Sequence, residues 1–278
     1  MTTASLADGL VGLGPVRGNG IPRWLTALAR VGFAAKGFVY VLIGVFAAAA
    51  AFGSGAPTGS RGVLDALRGQ PFGMVLLLLT AVGIAAYAVW RLAAAVFNPE
   101  RKSALRRAGY VITVVIYAGL AIEAVRMALG WSRGGGGDAA SHWTARLMAQ
   151  PFGVLLVGIV AAGIAAYGGY QIHKAWTSDV ARDLRLGAMR RDPRHAVVAI
   201  ARAGLAARGV VFLVVAGFLV QAALQADPSE ARGMAGALRA IRHQPYGPYL
   251  LGAVAAGLLA YGLYQLVRAK YQRLGGAH

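Results

Sequence analysis

The sequence predicts an all-α integral membrane protein, with six transmembrane helices as three tandem helical hairpins, pseudo-threefold about the membrane normal. Three observations carry that prediction. The 278 residues are 58% hydrophobic and only 14% charged, with a mean hydropathy of +0.57. The charges gather in short connecting segments and leave six long stretches nearly free of them, as a chain that crosses a bilayer repeatedly requires. Those stretches also repeat one another in pairs.

Spans are marked at about 30–53, 72–97, 108–130, 152–176, 203–225 and 247–270. Each holds 23 or more residues, enough to cross a hydrocarbon core of about 30 Å with some tilt. Their Gly and Ala content would weaken a soluble helix. In lipid, small residues let helices approach closely, and the backbone has no alternative partner.

The repeat is read from spacing. Arg30-x-Gly32, Arg107-x-Gly109 and Arg202-x-Gly204 open the odd-numbered spans, and ten residues after each Arg stand Tyr40, Tyr117 and Phe212. The even-numbered spans follow Gln70-Pro71-Phe72-Gly73, Gln150-Pro151-Phe152-Gly153 and Gln244-Pro245-Tyr246-Gly247. Twelve residues after each Pro stand Gly83, Gly163 and Gly257; sixteen after, Tyr87, Tyr167 and Tyr261; nineteen after, Trp90, Tyr170 and Tyr264. Pro suits the first turn of a helix, where its missing N–H has no intrahelical partner. The motif is therefore expected to start a helix at the membrane boundary. The organisation expected is a flexible cytoplasmic tail at 1–22, repeats at 25–98, 102–176 and 201–272, and a cytoplasmic connection at 177–200. That connection, with Pro193, suggests a solvated or interfacial helix followed by a turn.

Three Arg-x-Gly and Gln-Pro-aromatic-Gly hairpins in a basic, Ala-rich chain resemble the bacterial membrane family catalogued as domain of unknown function 1206. The resemblance covers residues 25–272. It implies three tandem copies of a two-helix module in a bacterial inner membrane, and it implies no activity.

The net charge of +18 is spread along the ends of apolar runs and forms no basic, aromatic-studded soluble domain, which argues against nucleic acid as a partner. Of the 28 basic residues, 20 fall on the side of the N-terminus, the even-to-odd connections and the C-terminus, and eight on the other. The excess places both termini in the cytoplasm. Residues Met1 to Gly20 have no basic region leading into a short apolar core, so a cytoplasmic tail is expected there and not a cleaved leader. The absence of cysteine removes disulfides, thiolate catalysis and Cys-based metal sites. A two-span repeat preserves orientation, so the three units run in parallel about an axis along the membrane normal. On the outer side, Leu64 and Leu67, and Met234, Leu238 and Ile241, recur at helical spacing and suggest half-immersed interfacial helices. Gly134 to Gly137 reads as a loop.

Several residues are not explained by architecture. Lys36 and Arg208 stand six residues inside their opening Arg, with Thr113 at the matching place in the middle unit. Either they snorkel to the inner headgroups, or they bind an anionic headgroup or line a vestibule. Glu123 is the one acidic residue inside a span; Arg126 at i+3 can pair with it, and a proton or cation site is the rival. Gln171 and Gln265 align with Arg91 and suit interhelical hydrogen bonds. The recurring Tyr and Trp read as an aromatic belt. Gly158, Ala162 and Ala166, like Gly252, Ala256 and Ala260, read as packing seams. The histidines lack metal-ligand spacing, and no Gly-x-Ser-x-Gly, P-loop or His-Glu-x-x-His occurs.

The expected function is thus that of a non-enzymatic inner-membrane structural or interaction protein, without a cofactor. Its partners would be membrane lipids, with basic cytoplasmic loops on anionic headgroups. The alternative is a small-solute or ion transporter or channel with a path near the pseudo-threefold axis. A lipid-modifying enzyme is the third reading; it needs a carboxylate–histidine or Ser–base pair at one membrane face.

Overall fold

A computed structural model describes residues 23–97, 104–131, 139–177 and 191–271. The expected tail at 1–22, most of the expected connection and the Gly134–Gly137 loop lie outside these residues. In order, the helices are α1 (Arg23–Ala51), α2 (Ser60–Arg68), α3 (Gly73–Phe97), α4 (Ala104–Ala128), α5 (Ala139–Met148), α6 (Gly153–Trp176), α7 (Arg191–Gln225), α8 (Met234–Arg242) and α9 (Gly247–Tyr271). A short 3₁₀ turn, Pro228–Glu230, precedes α8. There is no strand among the described residues. By length and composition α1, α3, α6, α7 and α9 can cross a membrane, and α4 matches α3 and α9 at 25 residues. Many of their outward side chains, including Leu79, Val82, Val115, Ile116, Leu155 and Ile159, are apolar and exposed. That is the surface of a multi-pass membrane protein.

The Gln-Pro-aromatic-Gly motif is a turn, not the first turn of a helix. The backbone N–H of Gly73 donates to the Gln70 carbonyl at 2.9 Å, and the same bond recurs from Gly153 to Gln150 at 2.9 Å and from Gly247 to Gln244 at 2.7 Å. Pro therefore sits at the second position of a β-turn, and the aromatic takes the third with φ of 61° at Phe72 and 60° at Phe152 and Tyr246. Pro at the second position and positive φ at the third are the preferences of a type II turn. The long helix begins only at Gly. A Cβ on Gly73, Gly153 or Gly247 would collide with the carbonyl of Arg68, Met148 or Arg242, in the last turn of the preceding short helix. Gly is needed there because the two helices meet backbone to backbone.

Each turn joins a short helix to a long one. Val63, Leu64 and Leu67 of α2, and Ala237, Leu238 and Ile241 of α8, are buried. These faces cover the turn end of the bundle instead of lying half in lipid. α2 packs on α1, α3 and α4, and α8 on α7 and α9.

The long helices pack in a consistent order. α4 lies on α3, α7 on α6 and α1 on α9, so each repeat's first helix packs on the second helix of another repeat. Within a repeat α1 also packs on α3, and α7 on α9; α4 and α6 share no such interface among the described residues. The Arg-x-Gly glycines explain the first two: a Cβ on Gly32 would strike the backbone of Tyr87, and one on Gly204 that of Tyr261. The expected seams are misplaced. Ala162, Ala166 and Ala256 are exposed, while close approaches are made by Gly37 against Gly262 and by Gly168 against Gly209. Four-residue spacing of small residues marks a helix face but carries no phase relative to the neighbour.

α7 runs unbroken from Arg191, so the turn expected near Pro193 does not occur. Pro193 is the third residue of the helix, within the first turn, where Pro is tolerated.

Candidate functional site

Some 14 to 17 residues from the turn end of the long helices, the apolar core gives way to a layer of cations and phenols. Lys36 is on α1 and Arg208 on α7, and each retains only 5% exposure. Lys36 Nζ donates to the Tyr87 hydroxyl at 3.1 Å and lies 4.6 Å from the Tyr87 ring centre and 5.1 Å from that of Tyr117. Arg208 Nε donates to the Tyr40 hydroxyl at 2.9 Å, and one of its terminal nitrogens to the Tyr167 hydroxyl at 3.3 Å. Its guanidinium stands 4.5 Å from the Phe212 ring and 4.8 Å from that of Tyr261. Lys36 is 5.9 Å from the same Tyr261 ring, so one aromatic face serves both cations.

The tyrosines are held by the repeat itself. Tyr87 packs edge-on to Tyr117 with ring centres 4.7 Å apart, Tyr261 to Tyr40 at 4.7 Å, and Tyr167 lies 5.5 Å from Phe212. Each pair joins the residue sixteen after a motif Pro to the residue ten after an opening Arg. An outer shell completes the layer: Arg91 Nε donates to the Tyr87 hydroxyl at 2.9 Å. Gln265 Nε2 donates to the Tyr261 hydroxyl at 2.6 Å, and Arg268 donates to Gln265 Oε1 at 3.1 Å. The Arg268 guanidinium covers Phe33 at 4.3 Å.

These positions correct three expectations. Lys36 and Arg208 do not snorkel; they point into the protein. Tyr87, Tyr261, Trp90 and Tyr264 are buried and form no lipid-facing belt, whereas Tyr167 and Tyr170 are partly exposed. Glu123 is absent from this layer: it lies at the turn end and pairs with Arg61 of α2 at 2.7 Å, not with Arg126, whose side chain is exposed. Gln265 belongs to the layer. Gln171 is buried beside Gly209 at the α6–α7 interface, and its Nε2 has no hydrogen-bond partner among the described residues.

Chemically, the layer is cationic. Of the acidic residues described, Asp65, Glu123, Asp227 and Glu230 lie in or beside the turn-end segments, and Asp192 stands at the start of α7, 16 residues before Arg208. A phenol offers an oxygen and a π face but no net charge in its ordinary form, while an isolated buried cation carries a desolvation cost of several kcal/mol. Each cation–π contact returns about 0.5–2 kcal/mol, and each hydrogen bond to a charged group about 1.5–3 kcal/mol. What such an arrangement lacks is a negative charge. Above it, toward the turns, Ile43, Leu64, Leu77, Leu238 and Leu251 are fully buried and close the core with apolar side chains. No group of His, Asp and Glu among the described residues is arranged to hold a metal ion.

The tyrosines are visible in the sequence, but their distance from the motif Pro points to the membrane boundary and not to the interior. Tyr40 follows Lys36 by four residues, and Phe212 follows Arg208 by four, so each cation shares a helix face with an aromatic. That spacing marks an interior face in two repeats at once.

The family described as Domain of Unknown Function (DUF1206) matches three segments of the chain, residues 31–98, 108–178 and 203–272. An uncharacterized protein YxxB of Bacillus subtilis (strain 168) is 32% identical over 256 residues, spanning 90% of this chain and 92% of that protein. No solved structure matches the chain.

Proposed function

Starting from a chain that belongs to the DUF1206 family, we propose a non-enzymatic, six-span membrane protein that binds an anion between Lys36 and Arg208. The single observation that carries this is the burial of two cations against five tyrosines, with no carboxylate of the described residues in their layer. An anionic ligand supplies the missing charge, with Arg208 offering planar donors and Lys36 a point charge. The three equivalent aromatic pairs support a pseudo-threefold arrangement in which α4 is the sixth span. The excess of basic residues on one side supports cytoplasmic termini in a bacterial inner membrane, with basic segments on anionic headgroups. The non-enzymatic reading rests on a site built from cations, phenols and amides.

The alternative, a transporter or channel along the axis, shares the binding site and differs in needing a path through the turn end. Fully buried Leu64, Leu77, Leu238 and Leu251 at that end favour binding over conduction.

The test is thermal unfolding of the purified protein in detergent, titrated with sulfate or phosphate against matched chloride and cation controls. A multivalent anion is expected to raise Tm in the wild type but not in Lys36→Met or Arg208→Met. Equal shifts in wild type and both variants would sink the proposal.

A further inference from the structure

The second repeat is open where the other two are closed. In the first and third repeats Gly83 and Gly257 are buried, and a Cβ on either would run into Ala35 or Ala207 of the hairpin partner. The matching Gly163 is exposed, with no described atom within 4 Å of the place its Cβ would take. Four residues on, Tyr167 is 46% exposed, against 1% for Tyr87 and 3% for Tyr261. Gly163, Tyr167 and Tyr170 share one face of α6, and no described residue of α4 packs on that face as α1 and α7 do on its equivalents. The opening does not end on an apolar wall. Behind it the Tyr167 hydroxyl accepts from Arg208 at 3.3 Å.

Gln171 adds an independent observation. In the other repeats the residue at this position, Arg91 or Gln265, donates to the tyrosine four residues earlier. Here Arg208 already holds that hydroxyl, and the buried Gln171 Nε2 is left without an acceptor. A buried amide donor without a partner is destabilising, and the chemistry it lacks is an anionic or carbonyl oxygen.

We propose that the seam between α4 and α6 is a lateral site for an anionic phospholipid, its acyl chains along the α6 face and its phosphate on Arg208 and Gln171. The surroundings of an apolar span are acyl chains, so a ligand that enters sideways is itself amphiphilic. Depth agrees with this. Arg208 lies 17 residues from Gln225 at the end of α7, about 26 Å at 1.5 Å per residue, near one edge of a core of about 30 Å. A headgroup of that leaflet can reach it with little displacement. This inference rests on the anion-binding reading and adds the ligand class and its route.

The experiment places wild type, Gly163→Trp and Arg208→Gln in nanodiscs of phosphatidylcholine with a minor fraction of phosphatidylglycerol, and counts retained lipid by native mass spectrometry. Sulfate binding in detergent is measured on the same proteins. Wild type is expected to retain phosphatidylglycerol over phosphatidylcholine. Gly163→Trp, which fills the seam at an exposed position, is expected to lose that preference about tenfold while keeping sulfate binding. Arg208→Gln is expected to lose both, and if it does not fold, Gln171→Leu replaces it with an expected loss of at least threefold in lipid retention. Unchanged lipid preference in Gly163→Trp, or binding of sulfate without any lipid preference in wild type, overturns the lateral site and leaves the anion site standing. Loss of neither ligand in Arg208→Gln overturns both. A detergent-stable dimer that Gly163→Trp dissociates would give the α6 face to a second copy and also overturn the lipid proposal.

Discussion

Arg208 of the third repeat donates to the hydroxyl of Tyr40 in the first, 2.9 Å away across 168 residues of sequence. The bond ties α7 to α1 through a cation that neither helix can expose to water, and it sets the terms for the rest of the layer. Removing the phenol oxygen while keeping the ring separates the two contributions. Tyr40→Phe is expected to lower stability by about 1.5–3 kcal/mol, the range for a hydrogen bond to a charged group. Tm in detergent without added anion is the measurement, and an unchanged Tm would show that the ring alone holds Arg208.

Removing the charge acts in the opposite direction. A buried charge carries a desolvation cost of several kcal/mol, which an apolar side chain of similar length does not carry. Arg208→Met is expected to match or exceed the wild-type Tm in anion-free detergent. A large loss of stability would mean that the cation is already compensated within the protein.

The three turns predict a contrast inside one motif. Phe152 holds φ of 60°, a left-handed conformation that costs a non-glycine residue about 1–2 kcal/mol. Phe152→Gly is expected to be neutral or to gain up to about 1 kcal/mol. Gly153→Ala is expected to lose about 1–3 kcal/mol, since its Cβ meets the Met148 carbonyl. Chemical denaturation in mixed micelles ranks the two, and the reverse order would contradict the turn assignment.

Gly83 and Gly163 hold the same place in the repeat and different places in the fold. Gly83→Leu is expected to destabilise by about 1–3 kcal/mol through overpacking against Ala35, and Gly163→Leu to change Tm by no more than about 0.5 kcal/mol in equivalent stability. Equal losses at both positions would close the seam between α4 and α6.

Glu123 and Arg61 form an ion pair at a partly exposed position, with side-chain exposures of 21% and 35%. Glu123→Gln is expected to cost no more than about 1 kcal/mol, and Arg126→Gln to be silent. A double-mutant cycle between positions 61 and 123 gives the coupling directly, and a coupling to Arg126 instead would restore the pairing within α4.

Residue order alone determined the triplication, the apolar spans and the family, because all three are properties of spacing along the chain. It also contained both halves of each close contact: the Gly of Arg-x-Gly and the Tyr sixteen residues after Pro are the residues that touch. What it did not contain was phase. A helix presents every residue to some side, and only the neighbouring helix decides whether that side is lipid or protein. Lys36, Arg208, Tyr87 and Tyr261 therefore read as boundary residues in sequence and are interior ones in the fold. The same limit hid the turn. Gln-Pro-aromatic-Gly suits a helix start or a β-turn equally well by composition, and the carbonyls of Arg68, Met148 and Arg242 chose between them. Nor does the repeat announce where it fails: Gly163 matches Gly83 and Gly257 in sequence, yet it is exposed and no described atom covers it. Tertiary packing made one of three equivalent positions an opening, and placed a cation behind it.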